Sequence, residues 1–395
     1  MRAIQQAEPF SPRRYDVFAG LDVDKTSISV TFMDHGNSVK SFRIPNKAEN
    51  LLNYVSKNFP EKQVAFAYEA GPTGYGLYDS ITAAGYPCLV VAPAMVPTAP
   101  GMRVKTNKID SKKISESLRG GQLKSIHVPS AAYRQLRHLV QHRDTCVRNS
   151  IATKLRIKAL LLFEGIPYPK AENSDEQWSR DVISKLKALE CSSAVRFKLD
   201  QLLAALEFSR NQVLVTTKEI RRFCTEEADI LNCIMLLISI PGIGWITATH
   251  LLARIGDWRN LGNVRQLAAF LGLAQRENST GEHVNRGGIT RSGDGRLRNK
   301  LVQGAWAAIR IDPELREFYR RIYQRHPKNQ APKKAIVAVA RKMTMRIHAV
   351  LSQQREYVVR PHIPSVPLHP EEMICPRERL DSAQKQEMPD APDVS

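Results

Sequence analysis

The N-terminal part of the chain carries the pattern that most restricts its fold. Between Tyr15 and Pro93, apolar residues come in short blocks of period two, interrupted by two blocks of helical spacing. Residues 15–22 read as a buried strand, and residues 27–33 alternate as its hairpin partner. A third short strand is expected near 41–44, a helix over 48–58, a strand over 64–69, a helix over 75–84 and a last strand over 88–92. The order β-β-β-α-β-α-β predicts a mixed sheet flanked by helices.

After Pro100 the pattern turns helical. Residues 130–163 are studded with Arg and Lys, and a second helical block runs from Ser174 to about Ile234. In that block Leu199, Leu206, Val213 and Ile220 recur every seven residues, with Leu202 and Phe223 at the companion position and Ser209 and Thr216 interrupting it. Either a coiled-coil or helical-hairpin dimerisation arm or an ordinary long core helix satisfies this spacing. A further unit opens near Cys233 with an apolar helix, the turn Pro241-Gly242-Ile243-Gly244 and a second apolar helix through Ala253. It closes with a basic amphipathic helix over 333–350. At 395 residues the chain exceeds one typical core, and it divides into four stretches: 15–128, 129–232, 233–360 and 361–395. The expected fold class is therefore α/β followed by all-α.

Charge narrows the partners. A net charge of +19 and a pI near 9.8 make a field that draws polyanions, with nucleic acid foremost. The excess resides in the body, because from Pro361 onward seven acids face three bases. That tail repeats proline and offers little apolar surface to offset ordering entropy, so disorder is expected there. The six cysteines form no CxxC pair, which suggests neither a zinc site nor a disulfide framework. No segment approaches the roughly 20 apolar residues of a membrane span, and residues 1–14 lack a signal-peptide core. A cytoplasmic protein with no membrane partner is expected.

Several residues have the chemistry to act on a phosphodiester. Asp22 and Glu69 end two strands, and in a mixed sheet both can emerge at one edge. Such carboxylates suit Mg²⁺ or Mn²⁺, and paired divalent ions can activate a nucleophile and steady a leaving oxygen. Asn107 and Asp110 are three apart in a helical stretch and share a face. In the turn between the apolar helices, Gly242 and Gly244 would let backbone amides approach a phosphate in a helix-hairpin-helix, or would simply make a tight helical turn. Residues 277–298 hold Ser279, Thr280 and Gly281, followed by Arg286, Arg291, Arg296 and Arg298. Such a loop either delivers a hydroxyl to a phosphate among neutralising guanidiniums or only grips the backbone. His283 stands alone and reads as a surface residue. On the last helix Lys333, Lys334, Arg341, Lys342 and Arg346 are further backbone-binding candidates.

Taken in order, Gly20-Leu21-Asp22, Tyr68-Glu69-Ala70-Gly71-Pro72, Lys105-Thr106-Asn107-Lys108-Ile109-Asp110, Ile240-Pro241-Gly242-Ile243-Gly244, Ser279-Thr280-Gly281 and Leu297-Arg298 closely resemble the DEDD transposases of insertion sequences, the IS110 and IS1111 type. The resemblance spans residues 15–348. It implies a RuvC-like, RNase H-fold domain with an Asp-Glu-Asp-Asp metal site, a coiled-coil connection, and a Transposase-20 domain contributing a serine nucleophile. It implies DNA cut and rejoined by a homodimer or homotetramer at the bacterial nucleoid, with a noncoding bridge RNA as partner. By position Asp22 and Glu69 match the first two acids and Asp110 the last. Asn107 stands where the family usually has its third Asp, and Thr280 stands directly before the glycine where many relatives have serine. Alignment thus favours Thr280 as nucleophile, and the less crowded primary hydroxyl favours Ser279. A RuvC-like structure-specific nuclease and a catalytically decayed, nucleic-acid-binding relative are the alternative readings.

Overall fold

The computed structural model describes residues 10–36, 39–93, 107–171, 177–260, 262–277 and 286–359. The expected tail at 361–395 lies outside the described residues, as do Ser279, Thr280, Gly281 and His283. The chain divides into two compact units, Met1–Val128 and Pro129–Ser395.

Among its described residues the first unit is built on five strands: β1 (Val17–Val23), β2 (Ser27–Asp34), β3 (Val39–Pro45), β4 (Val64–Glu69) and β5 (Cys88–Val91). They form one mixed sheet in the order β3-β2-β1-β4-β5, consistent with an RNase H-like domain. β1 to β3 are an antiparallel meander, whereas β4 and β5 run parallel to β1 and to each other. Parallel pairing requires crossovers, and α2 (Gly76–Ala83) supplies the one between β4 and β5, while α1 (Ala48–Asn58) bridges β3 and β4.

Alternation assigns the two faces. Val17, Ala19 and Leu21 of β1 join Phe66 and Tyr68 of β4 on the side that buries Leu51 and Val55 of α1 and Ile81 of α2. Phe18, Ala65, Ala67, Leu89 and Val91 point to the other side, against Ile114 and Leu118 of α3 (Asn107–Arg119). This helix sits unusually close to the sheet, because a Cβ on Gly20 would overlap the Ser111 carbonyl oxygen. Short polar side chains fill the narrow gap. Ser115 donates to the Phe18 carbonyl at 2.8 Å, and Ser111 shares a hydrogen bond of 2.9 Å with Thr31.

Among its described residues the second unit is almost all helix: α4 (Ala131–Phe163), α5 (Arg180–Lys187), α6 (Ser193–Glu226), α7 (Ala228–Ile238), α8 (Trp245–Ile255), α9 (Val264–Phe270), α10 (Gly295–Ile311), α11 (Pro313–Tyr323) and α12 (Ala331–Gln353). Sequence patterning gives no strands here, yet β6 (Gln275–Glu277) and β7 (Arg286–Ile289) pair as a short antiparallel ribbon. Three or four residues are too few for periodicity to register.

Among the described residues two cores divide this unit. One gathers the first half of α4, the end of α6 and α7 to α12, and the other joins the last turns of α4 to α5 and the start of α6. The helices α4 and α6 therefore run antiparallel as a two-helix arm. On α6 the buried positions include Leu199, Leu206, Ser209, Thr216, Ile220 and Phe223. The two polar residues continue the seam, because Ser209 donates to the Leu206 carbonyl at 2.9 Å and Thr216 to that of Gln212 at 2.7 Å. With their hydroxyls satisfied within their own helix they bury without penalty. Opposite them α4 buries Cys146, Ser150 and Thr153, so this stretch is lined by small side chains. Among the described residues no helix is long and apolar enough to cross a membrane.

Candidate active site and nucleic-acid surface

In the first unit, Asp22 and Glu69 occupy equivalent positions on adjacent parallel strands. The register runs Val17↔Val64 to Leu21↔Tyr68, and the next step sets Asp22 beside Glu69. By alternation both carboxylates belong to the face covered by α3, with Phe18 and Gly20 before one and Ala65 and Ala67 before the other. Both are half-buried.

The direction of α3 completes the arrangement. Ser111 lies over Gly20, and Ser115, one turn later, bonds back at Phe18, so the helix runs antiparallel to β1. Its first turn, which carries Asn107 and Asp110, therefore overhangs the strand end that carries Asp22. Asp110 is half-buried, with Lys113 Nζ at 3.9 Å from its carboxylate. The backbone of Asn107 opens the helix, and its side chain lies outside the described residues.

Three carboxylates brought to one sheet edge are the donor set that a hard divalent cation requires. Among the described residues, however, no three His, Cys, Asp or Glu side chains converge closely enough to hold a metal ion. The fit is thus one of donor chemistry and backbone placement, with the side chains not drawn in.

In the second unit the β6–β7 ribbon frames the hydroxyl-bearing loop, and the return from the loop is tightly seated. Gly272 and Gly293 both have positive φ, and a Cβ on either would overlap the carbonyl oxygen of Ser292 or Phe270. Arg291 adopts φ 56° and is exposed. Arg296 is exposed in the first turn of α10, with Nη1 3.5 Å from Asp144 Oδ2. The side chain of Arg286, at the start of β7, lies outside the described residues.

Two arginines expected to bind a nucleic-acid backbone are engaged internally instead. Arg298 turns inward, with Nη1 donating to the Leu271 carbonyl at 3.3 Å. Arg346 is buried at 7% exposure, ion-paired with Asp312 and with Glu314 at 3.2 Å, and stacked on the Tyr357 ring at 4.6 Å. Helical spacing put it on the basic face, but a guanidinium beside a 1% exposed carboxylate is a structural ion pair. Lys342 is also committed, at 2.5 Å from Glu314 and over the Phe318 ring. Lys333, Lys334 and Arg341 remain exposed.

The glycine turn joins α7 to α8 with its two glycines in different settings. Gly242 has φ 85°, and a Cβ there would overlap the carbonyl oxygen of Gly304 in α10. Its missing side chain thus lets two backbone segments meet inside the unit. At Gly244, the N-cap of α8, a Cβ would meet nothing within 4 Å.

Sequence reasoning passed over a buried pair beside this region. His250 of α8 is 5% exposed, with Nε2 at 2.9 Å from Asp144 Oδ1 and Nδ1 at 2.7 Å from the Ile246 carbonyl. A histidine and an aspartate 106 residues apart leave no local signal. Burial raises the Asp144 carboxyl, but the His250 hydrogen bond and the charges of His250, Lys300 and Arg296 outweigh it and hold the group below its ordinary value. The thiols are poorer nucleophiles. Burial pushes Cys224 up to about 12 and Cys233 to about 11, well above the range where a thiolate forms at neutral pH.

Comparison with known proteins extends over both units. Residues 235–320 match the family described as Transposase IS116/IS110/IS902 family, and residues 19–164 match the DEDD family of IS110, described as Transposase. The chain is 30% identical over 314 residues to "Putative transposase y4qE" of Sinorhizobium fredii, covering 77% of this chain and 75% of the relative. It is 24% identical over 365 residues to the transposase for insertion sequence element IS1111A of Coxiella burnetii, covering 86% and 90%. A pilin gene-inverting protein of Moraxella bovis is 33% identical over 141 residues, covering 35% of this chain and 42% of that protein.

Proposed function

Because the chain belongs to the IS110/IS1111 family of insertion-sequence transposases, enzymes of DNA transposition and recombination, we propose that it cuts and rejoins DNA strands with two chemistries, one in each unit. The observation that carries this reading is the placement of Asp22 and Glu69 on one face at neighbouring strand ends, beneath the helix turn that bears Asn107 and Asp110. These four residues would hold Mg²⁺ or Mn²⁺ in a RuvC-like, RNase H-type site. Bound there, the ions supply charge neutralisation and Lewis acidity toward a scissile phosphate.

The residues of the loop do the second part. A hydroxyl of Ser279 or Thr280 bonds to phosphorus, the bond to the sugar oxygen breaks, and the hydroxyl proton is lost as the leaving oxygen gains one. The resulting phosphoester preserves the energy of the bond for rejoining. Exposed Arg291 and Arg296, with Arg286, would neutralise the phosphoryl oxygens. The exposed amide turn at Gly244 and the cations Lys333, Lys334 and Arg341 would grip the backbone further along. A relative named for gene inversion supports strand rejoining as well as cutting. Assembly as a homodimer or homotetramer through the α4–α6 arm, at the nucleoid and with a bridge RNA, belongs to the same proposal.

The test is recombination between plasmids bearing the element's own ends and flanks, comparing wild type with Asp22→Ala, Ser279→Ala, Thr280→Ala and the double hydroxyl variant. Loss in Asp22→Ala and in at least one hydroxyl variant supports the two-chemistry reading. Cleavage that survives in the double variant assigns all chemistry to the acidic site, as in a structure-specific nuclease. Asn107 motivates a second reading, a binding protein without cleavage, which an inert wild type restored by Asn107→Asp would establish.

A further inference from the structure

Between α4, α8 and the start of α10 lies a cavity of about 520 Å³ that the reading above draws on only through Arg296. Its floor is the Asp144–His250 pair, and its walls carry Arg137, Arg254, Asp294 and Arg296. The cavity is open to solvent on the side of the two arginines, whose side chains are 43% (Arg254) and 51% (Arg296) exposed.

The pair on the floor is engaged within the protein. Both ring nitrogens of His250 face oxygen atoms, the Ile246 carbonyl on one side and the Asp144 carboxylate on the other. The imidazole occupies one carboxylate oxygen, so Asp144 has only the other to offer its neighbouring cations.

The charge balance that results favours an anion. Three arginines, Arg137, Arg254 and Arg296, line the cavity with two acids, Asp144 and Asp294, and Lys300 lies within electrostatic range of both acids. Arg137 is taken up by the end of α8, donating to the carbonyls of Ala253 at 2.9 Å and Arg254 at 3.5 Å. The other ion pairs are loose. Arg254 Nε stands 3.8 Å from Asp294 Oδ2 and Arg296 Nη1 3.5 Å from Asp144 Oδ2, both beyond the 2.7–2.9 Å of a tight charge-assisted bond. Asp294 is further engaged by the amides of Arg296 and Leu297, whose helix it caps.

We propose that this cavity is a phosphate-binding site for the backbone of a nucleic-acid strand, with the Arg254 and Arg296 guanidiniums as its ligands. The inference rests on the DNA-acting role proposed above and adds to it a defined seat near the base of the β6–β7 ribbon. The close approaches at Gly272 and Gly293 fix the base of the β6–β7 ribbon, beside which a phosphate would be seated. The same cavity fits a phosphate of DNA or of RNA.

Two probes separate those sources: a fluorescein-labelled DNA duplex and an RNA of the same sequence, each titrated with full-length protein over a range of salt concentrations. In the Arg254→Gln, Arg296→Gln double variant the slope of log affinity against log salt should fall by roughly two, with an affinity loss of about tenfold or more at low salt. The equal charge change made by Lys218→Gln, Arg222→Gln on α6 should leave the slope nearer to that of wild type. Replacing both cavity arginines by lysine keeps the charge and should keep the slope, which guards against a mere folding defect. A slope loss with only one probe identifies that strand as the occupant, and a loss with both places a phosphate common to the two. An unchanged slope in the glutamine variant, or an equal fall in the control, overturns the inference. Failure of the wild type to bind either probe would instead overturn the role on which it rests.

Discussion

Gly20 of β1 and Ser111 of α3 meet backbone to backbone, with no room for a side chain between them. A Cβ at Gly20 would also stand 2.9 Å from the Cβ of Ser115. This contact seats the turn carrying Asp110 over the end of the strand carrying Asp22. Gly20→Ala must therefore push α3 away from the sheet, an overpacking cost of about 1–3 kcal/mol. A lower thermal midpoint accompanied by loss of recombination is expected. An unchanged midpoint would mean that the close approach is not maintained in solution.

The glycine turn yields a contrast within three residues. Gly242→Ala meets the Gly304 backbone and a φ of 85°, whereas Gly244→Ala meets open space. Circular dichroism melts should show Gly242→Ala strongly destabilised, and Gly244→Ala close to wild type. If the amides at Gly244 approach a phosphate, its alanine variant should weaken DNA binding severalfold without moving the melt. Wild-type binding would reduce the turn to a packing device.

Asn107 gives a prediction about metal dependence. An amide oxygen can ligate a divalent ion, but it brings no charge, so the quartet of Asp22, Glu69, Asn107 and Asp110 carries one negative charge fewer than an Asp-Glu-Asp-Asp site. Asn107→Asp should lower the Mg²⁺ concentration for half-maximal strand cleavage, by about tenfold if the added carboxylate contributes on the order of 1.4 kcal/mol to binding. Titrating cleavage against Mg²⁺ for the two proteins measures this directly. Coincident curves would remove residue 107 from the metal site.

What could be read in advance follows the range of each interaction. The strands around Asp22 and Glu69 were legible because period-two burial is a local pattern, and Val17, Ala19 and Leu21 alternate with Phe18 and Gly20 as the two faces require. The α6 seam was legible at Leu199, Leu206 and Ile220. Hydropathy misjudged Ser209 and Thr216, since it does not see hydroxyls satisfied by their own helix. The fate of individual cations was not legible at all. Arg341 and Arg346 are neighbours on one basic helix, yet only the second finds a buried carboxylate, supplied by a residue 34 positions away. The Asp144–His250 pair was hidden for the same reason.

That buried cation leads to the last prediction. Burial alone would raise the Asp312 carboxyl, but the Tyr357 hydroxyl, the Leu315 amide and the Arg346 charge outweigh it and hold the group below its ordinary value. The unfolded chain titrates this aspartate near 3.9. For a carboxyl depressed by folding, the stabilising contribution is complete above that unfolded value and is lost as pH falls through the lower folded one. Wild type should therefore lose stability as pH drops below about 4, while Asp312→Asn, with nothing to titrate at this site, should show a shallower decline over the same interval. Arg346→Met leaves the carboxylate buried without its partner, and a loss of about 3–5 kcal/mol is expected at neutral pH. Because Arg346 is committed to the interior, the folded Arg346→Met protein should keep the salt dependence of DNA binding, whereas exposed Arg341→Gln should lower its slope by roughly one. Chemical denaturation across pH, together with salt titrations of binding, tests both halves. A reduced salt slope in Arg346→Met would return that arginine to the nucleic-acid surface.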